Sequence, residues 1–374
     1  MNETQLGGST LKTIAKITAS ATAVLAGSLA LTGAAAADTI VLRMGSGHPS
    51  APTPYVRNME HHMADYITKH VAEKTEHKVR IIHAYAGKIA KVHETLEAVE
   101  KGLLDIGGWC VCFESAKMLP MNFDYFTPFT TGDIRKQVDV KWRIMKEHPE
   151  IYSMLEKSYK QKLIAMTGFD NYGLGTKFEW TDVDQLKGQK IIAAGPNLPW
   201  VERFGAIPVT TTLPTAYNAL ATGVASGFIM FPGVYYGFKF HEPAPYFKVT
   251  NLGAIAQTIL TMNLETRKKL PADVLKIIDE AAMSYEKAAT IDAYESEGIG
   301  LTKLKAAGAF VSTLPVEQQA KWAESLKDWP NERAHDLNKE FKIDGPAIME
   351  KYMKYMEEAG HEWPYRYQFK PLGS

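Results

Sequence analysis

The sequence has only two cysteines and no net charge. Lys and Arg together number 42 in 374 residues, and so do Asp and Glu. Because no positive excess exists to displace the counterions of phosphate, a nucleic-acid partner is not expected. The two cysteines, Cys110 and Cys112, exclude a disulfide scaffold. We expect two unpaired thiols, because a bridge would close a very small loop in an extended segment; the bridge is the alternative.

Catalytic and cofactor signatures are also missing. The sequence has no His-Glu-x-x-His zinc pair, no Gly-x-Ser-x-Gly nucleophile elbow and no Walker loop. Without a nucleophile beside a base, binding is favoured over catalysis, and no cofactor or metal is expected. The alternative is a periplasmic metal-dependent enzyme that uses scattered histidines of the first half: His61, His62, His83 and His93.

The N-terminal segment carries the only apolar run that could concern a membrane. Lys12 and Lys16 precede an uncharged run from Ile17 to Gly33, and an Ala-rich stretch then leads to Asp38. This order is typical of a secretory signal peptide, here residues 1–37. A membrane anchor is the alternative, but the run is short and rich in Ala, Ser and Thr. We therefore expect cleavage before Asp38 and a soluble periplasmic protein.

The first part of the remaining chain alternates between strand and helix patterns. Strands are predicted at Thr39–Met44, Lys78–Tyr85 and Leu103–Gly107, and helices at Asn58–Thr75 and Lys91–Lys101. This order predicts a doubly wound parallel sheet.

A second unit of the same kind runs from Asp184 to Pro232. It reads as a strand (Lys190–Ala194), a helix, a strand (Ile207–Thr210), a second helix and a final strand. Open α/β sheets of this kind bind ligands at the carboxyl ends of their strands.

The fold class predicted is α/β, with two doubly wound lobes joined by a hinge. The chain should cross between lobes at Asp170–Gly173 and return within Val249–Thr266. A helix is expected from Pro271 to about Ala306, broken or bent near Gly298–Gly300. The expected division is 38–168 plus about 250–295 for lobe one, 169–249 plus about 296–350 for lobe two, and a C-terminal helix end and strap at 351–374.

Several phrases resemble those of the solute-binding proteins of TRAP (tripartite ATP-independent periplasmic) transporters. They are Leu-Lys-Gly-x-Lys-Ile at 186–191, Gly-x-x-Pro-Val at 205–209 and Ala-Tyr-x-Ala-Leu-x-x-Gly-Val at 216–224. The resemblance implies two lobes that close over one small organic anion, and a long helix that spans both lobes. It also implies delivery to TRAP-type integral membrane permease subunits, driven by a sodium gradient. We expect a monomer without enzymatic activity.

The carboxylate-binding positions of that family carry other residues here. The usual Arg of the Lys-Gly-x-Lys-Ile strand corresponds to Ile192, and a second frequent Arg corresponds to Tyr172. The family's Asp-Gly-x-Glu-Asn phrase becomes Ser226–Met230. Burying a carboxylate without a partner costs several kcal/mol, roughly a thousandfold in affinity. A standard carboxylate clamp is therefore not expected, and Ile192→Arg should weaken binding of the natural ligand.

Two kinds of ligand remain. The solute is either neutral or apolar and held by aromatic walls, or an anion whose charge is met by first-lobe loops. We favour an aromatic or hydrophobic solute, which includes an aromatic acid with its ring on lobe two and its polar end toward lobe one. A ligand-sensing partner of a membrane receptor is the alternative to transport. The candidate binding residues are His48, Lys88, Lys91, Trp109, Phe169, Asn171, Tyr172, Ile192, Leu213, Tyr217, Met230 and Phe231.

Overall fold

Two sheets, each flanked by helices, make up the computed structural model, which describes residues 39–193 and 195–373. The strands are β1 (Thr39–Gly45), β2 (Lys78–Ala84), β3 (Ile106–Cys110), β4 (Gln161–Phe169), β5 (Gly173–Thr176), β6 (Lys190–Ile192), β7 (Ile207–Val209), β8 (Gly227–Met230), β9 (Tyr246–Val249), β10 (Ile255–Asn263) and β11 (Phe310–Thr313). The α-helices are α1 (Pro54–Asn58), α2 (Ala64–Lys74), α3 (Thr95–Glu100), α4 (Ile134–Glu147), α5 (Met154–Lys157), α6 (Leu198–Glu202), α7 (Leu213–Ala221), α8 (Pro232–Gly237), α9 (Leu264–Lys269), α10 (Ala272–Ala306), α11 (Val316–Ser325), α12 (Trp329–Phe341) and α13 (Gly345–Glu358). The predicted signal peptide lies outside the described residues.

Each sheet forms one lobe and contains one strand that runs against the others. The first sheet has the order β2-β1-β3-β10-β4, and only β10 is antiparallel to its neighbours. The second has the order β11-β9-β5-β8-β6-β7, and only β5 is antiparallel. The chain enters the second lobe by β5 and returns to the first by β10. The two-lobe α/β fold is therefore confirmed, with the parallel strands covered by helices.

The third strand begins later than its pattern predicts. It covers Ile106–Cys110 rather than Leu103–Gly107. The amides of Leu103 and Leu104 donate to Ala98 O at 2.8 and 3.1 Å, so this segment completes the turn after α3 instead of pairing in the sheet. Trp109 consequently lies inside the strand and not beyond its end.

The two cysteines form a disulfide, so the expectation of unpaired thiols is wrong. The Cα atoms of Cys110 and Cys112 are 5.1 Å apart, a separation that a bridge spans readily. The reason is local: Cys110 ends β3, and the chain turns at once into a 3-10 segment, Val111–Glu114. The amide of Cys112 donates to Cys110 Sγ at 3.2 Å. The Cys-x-Cys phrase therefore sits in a bend and not in an extended strand.

The helix α10 spans both lobes, as the resemblance implies. Toward its middle, the hydroxyl of Tyr285 donates to Tyr55 O in the first lobe at 3.0 Å. Toward its end, Gly300 lies directly on the backbone of α8 in the second lobe, where an added Cβ would come 2.4 Å from Gly233 N. The helix runs without interruption through Gly298–Gly300, so the expected break there is not observed.

A fully buried ion pair joins three parts of the first lobe. Lys141 Nζ, on α4, donates to Asp124 Oδ1 at 2.8 Å, to Met121 O at 2.7 Å and to Ala256 O at 2.8 Å. Asp124 Oδ2 accepts from Ala256 N at 3.1 Å. All three N–H donors of the ammonium therefore have an acceptor, which is the condition for a buried charge to be tolerated.

The chain after α13 packs on the first lobe without regular structure. The hydroxyl of Tyr367, a buried residue, donates to Pro128 O at 3.2 Å. His361 Nε2 lies 3.0 Å from Phe129 O. Among the residues described, no helix combines the length and the apolar content needed to span a membrane.

Candidate functional site

A small cavity of about 60 Å³ lies between the two sheets. Its walls come from the carboxyl ends of the parallel strands of both lobes, which is where open α/β sheets place their ligands. The residues that line it are His48, Cys110, Cys112, Phe113, Phe169, Tyr172, Asn197, Thr211, Thr212, Leu213, Phe228, Ile229, Met230, Phe231, Val234 and Gln257.

Aromatic rings from the two lobes meet across this cavity. Phe169, at the end of β4, stacks on Phe231, which follows β8, with centroids 4.5 Å apart and planes 10° apart. The Tyr172 ring lies 4.1 Å from the Phe231 ring at a tilt of 40°. Ligand pockets generally measure about 300–1,000 Å³. A solute with a ring therefore fits only when these walls separate, as expected for lobes joined by a hinge.

The polar end of the cavity is a group of uncharged side chains. Gln257 Oε1 accepts hydrogen bonds from the hydroxyls of Tyr125 and Tyr172, the latter at 3.3 Å. The two hydroxyl oxygens are 3.2 Å apart. Burial raises the pKa of Tyr172 to about 12 and that of Tyr125 well above its usual value, so both phenols keep their protons. Asn197 also bonds Tyr172 through its side chain.

The buried ion pair of Lys141 and Asp124 fixes the backbone next to this group of polar side chains. Asp124 immediately precedes Tyr125, and Ala256 immediately precedes Gln257. Both Asp124 and Ala256 are held by Lys141 Nζ, so the same ammonium fixes the backbone on either side of the polar group.

His48 forms the first-lobe corner of the cavity. Its Nδ1 is 2.9 Å from the hydroxyl of Tyr55, and its amide donates to Ser46 Oγ at 3.2 Å. Burial, reinforced by the nearby His93, lowers the pKa of His48 to about 4. The imidazole is therefore neutral at neutral pH.

The structure brings together six of the twelve candidate residues from the sequence. These six line the cavity: His48, Phe169, Tyr172, Leu213, Met230 and Phe231.

The other six candidates lie elsewhere. Lys88 and Lys91 are exposed on the surface. Trp109 Nε1 donates to Thr261 Oγ1 at 3.0 Å inside the first sheet, and the Tyr217 hydroxyl donates to Glu242 at 2.7 Å. Their contact with a solute stays a prediction.

Asn171 and Ile192 do not line the cavity and make contacts elsewhere in the fold. Asn171 joins the two crossing segments, because its Nδ2 donates to Asn251 Oδ1 at 2.9 Å and its Oδ1 accepts from Gly253 N at 3.0 Å. Ile192 is 0% exposed in β6, paired with Val209 and Phe228 in the neighbouring strands.

Several lining residues escaped the sequence reasoning. Gln257 had only a weak signal, because β10 also contains the polar residues Thr258, Thr261 and Asn263. The sequence carried no signal that the disulfide lines the cavity, because the position of the disulfide depends on where β3 ends. Cys112 also touches the second lobe: a Cβ on Gly195 would come 2.3 Å from Cys112 O, and Gly195 has a positive φ of 61°.

The lining carries no full charge that could match a solute. Among the described residues that line the cavity there is no Lys, Arg, Asp or Glu. Nor does any group of three or more His, Cys, Asp or Glu side chains suited to a metal ion come together in the described ranges. The histidines of the first lobe make separate contacts, for example His62 with Ser284 at 2.9 Å.

Residues 53–334 match the bacterial extracellular solute-binding protein family 7. The chain belongs to this family. It is therefore an extracytoplasmic solute-binding protein rather than an enzyme, and the family works with membrane permease components. A curated relative, a solute-binding protein of Sulfitobacter sp. (strain NAS-14.1), is 30% identical over 130 residues, which are 34% of this chain and 39% of that protein. The match thus spans well under half of the relative's length.

Solved structures of TRAP solute-binding proteins share the fold of this family member. One from Rhodoferax ferrireducens T118, with copurified benzoate, has a TM-score of 0.75 at 17% identity and covers 86% of this chain and 98% of its own. A Bordetella pertussis receptor binding pyroglutamic acid has a TM-score of 0.72 at 19% identity, covering 84% and 99%. A Sulfitobacter sp. NAS-14.1 protein with bound β-D-galacturonate has a TM-score of 0.69 at 15% identity, covering 84% and 99%. At these identities the likeness establishes the fold.

Proposed function

We propose that this solute-binding protein captures a small aromatic or hydrophobic organic acid in the periplasm and delivers it to a TRAP-type permease. The observation that carries the proposal is the cavity between the lobes, walled by the stacked Phe169 and Phe231 and by Tyr172. Aromatic faces favour a ring over a polyol because ring contacts add to the burial of apolar area. The structural neighbour that holds benzoate is consistent with such a solute.

The proposal includes the replacement of the arginines that relatives use. Ile192 and Tyr172 stand at the positions where the family resemblance places arginine. In support, the described lining contains neither Arg nor Lys. Periplasmic location follows from the signal peptide proposed for residues 1–37. We also propose a monomer, with the lobes divided at the crossings 170–172 and 250–254.

A thermal-shift comparison tests the solute class. A ligand that binds only the folded state stabilises it by about 2.7 kcal/mol at a hundred times its Kd. Aromatic acids such as benzoate, 4-hydroxybenzoate, phenylacetate and cinnamate should raise the melting temperature, whereas glucuronate, galacturonate and pyroglutamate should not. Stabilisation by the uronates alone would show that the aromatic walls do not select the solute. No shift with any aromatic acid would refute the proposed class.

A further inference from the structure

Gln257 has one half of its amide engaged and the other half unused. The side chain is 2% exposed and lines the cavity. Two protonated tyrosine hydroxyls donate to Oε1, which fixes that oxygen on the side of Tyr125 and Tyr172. The amide plane then places Nε2 on the opposite side, where it meets no acceptor among the described residues. Nε2 is not among the buried unpaired atoms of the described chain, so it is accessible to a ligand or water that can accept its hydrogen bond.

A ring of hydrogen bonds gives His48 a donor of the same kind. The His48 amide donates to Ser46 Oγ, so the Ser46 hydroxyl must use its own proton elsewhere. Its one hydroxyl contact in the described chain is Tyr55, 3.0 Å away; the arrangement that pairs every hydroxyl proton of this group has Ser46 donate to Tyr55 and Tyr55 donate to His48 Nδ1. In this arrangement the proton of the neutral imidazole is on Nε2, which has no hydrogen-bond acceptor among the residues described.

Both unused donors belong to the first lobe and to one wall of the cavity. His48 follows β1, whereas Gln257 lies in β10, and both strands meet β3 in the same sheet. The opposite wall, from the second lobe, is apolar around Met230 and Phe231, and its polar members are Asn197, Thr211 and Thr212. A solute is thus offered N–H donors at one end and aromatic surface at the other.

We propose that Gln257 Nε2 and His48 Nε2 bind the carboxylate oxygens of the solute and determine its specificity. This inference rests on the proposed function. A carboxylate is acceptor-only and has two oxygens, one for each donor, and its hydrogen bonds are charge-assisted. A solute with an amine or ammonium at that end would set donor against donor and leave all of them unpaired.

Gln257→Glu replaces the donor half of this amide with a charged acceptor. The substitution keeps the shape and leaves one carboxylate oxygen to accept from Tyr125 and Tyr172, but it replaces Nε2 with a second oxygen facing the cavity. Gln189→Glu is the matched control, because Gln189 lies outside the cavity and its Oε1 accepts from Ser226, which the control retains. We expect Gln257→Glu to lower affinity for the best-binding aromatic acid at least a hundredfold in isothermal titration calorimetry, and Gln189→Glu to leave it unchanged.

A neutral compound of the same shape distinguishes the contribution of the carboxylate to binding from that of the ring. Where the acid is benzoate, nitrobenzene has the same shape and two acceptor oxygens without the charge, so Gln257→Glu should cost it far less than it costs benzoate. Equal affinity of wild type and Gln257→Glu for the acid would overturn the inference and leave the proposed function standing. Failure of the wild type to bind any aromatic acid would instead remove the proposed solute class, and the inference with it.

A second variant keeps the test decisive if Gln257→Glu does not fold. His48→Phe retains a ring in the corner but removes the Nε2 donor, so it should lower affinity for the same acid at least tenfold. Unchanged affinity in a variant that melts as wild type does would overturn the role of His48.

Discussion

Removing the ammonium of the buried ion pair should destabilise the protein and loosen its cavity. Lys141→Met leaves the Asp124 carboxylate at 0% exposure with backbone amides alone as partners in the described chain, Ala256 N and that of Asp124 itself. Removing one partner of a buried pair costs about 3–5 kcal/mol. Because Tyr125 and Gln257 directly follow the two anchored residues, we also expect weaker solute binding.

Urea unfolding of wild type, Lys141→Met and the double variant Lys141→Met/Asp124→Asn measures this cost. The double variant buries no charge, so it should regain about 2 kcal/mol or more over the single variant. Burial already raises the pKa of Asp124, and Lys141 opposes that rise. Without Lys141 the folded protein holds the proton more strongly than the unfolded chain, so the deficit shrinks as pH falls and grows as pH rises through the raised pKa. A loss below about 1 kcal/mol at pH 7, or a deficit that does not change with pH, would refute this reasoning.

Three further outcomes can be checked by thermal denaturation. Ile192→Arg should lower the melting temperature by placing an unpartnered guanidinium at a strand position that is 0% exposed; an unchanged melting temperature with tighter carboxylate binding would contradict the burial argument. The pKa of His48 falls from 6.5 to about 4 on folding, so the unfolded chain binds more protons between these values. Stability should therefore drop as pH falls from 6.5 to 4, by at most about 3 kcal/mol from this residue, and His48→Gln should flatten the profile. Gly300→Ala should destabilise by pushing α10 off Gly233 N, 2.4 Å from the new Cβ, whereas Gly298→Ala in the same helix meets open space and should stabilise by up to about 1 kcal/mol. Equal effects of the two alanines would show that the helix contact is not tight.

The fold was predictable from the sequence because its elements are local and well punctuated. Strand and helix periods alternate, and Gly or Pro marks the breaks, so the two doubly wound units could be read directly. The boundary errors have physical causes of the same local scale. The amides of Leu103 and Leu104 donate to Ala98 O and so complete the end of α3. The strand β3 therefore begins later than its pattern predicts and ends at Cys110, directly before the bend in which Cys110 meets Cys112.

The site was predictable only where it lies at the end of a parallel strand. His48, Phe169 and Phe231 follow or end such strands, and their positions could be read from the chain. Gln257 could not be placed this way, because β10 is antiparallel and presents its beginning to the cavity. Its partners, Tyr125 and Tyr172, are 132 and 85 residues away in sequence, beyond the reach of any periodicity.

The hinge and the ring stack together give a physical reason for selecting an aromatic solute. Opening the cleft must separate Phe169 from Phe231, at a cost of about 0.5–1.5 kcal/mol for the ring pair. It need not disturb the crossing segments, where Tyr172 N donates to Gly253 O at 3.1 Å. An aromatic solute that enters between the rings replaces the lost contact with one on each face, so the cost of opening is recovered. A polyol offers fewer apolar contacts to the two ring faces, so less of the cost of opening would be recovered. We therefore expect the cleft to favour a solute with a ring, because that ring replaces the contact between Phe169 and Phe231 that opening removes. This preference does not depend on the hydrogen bonds that the solute makes.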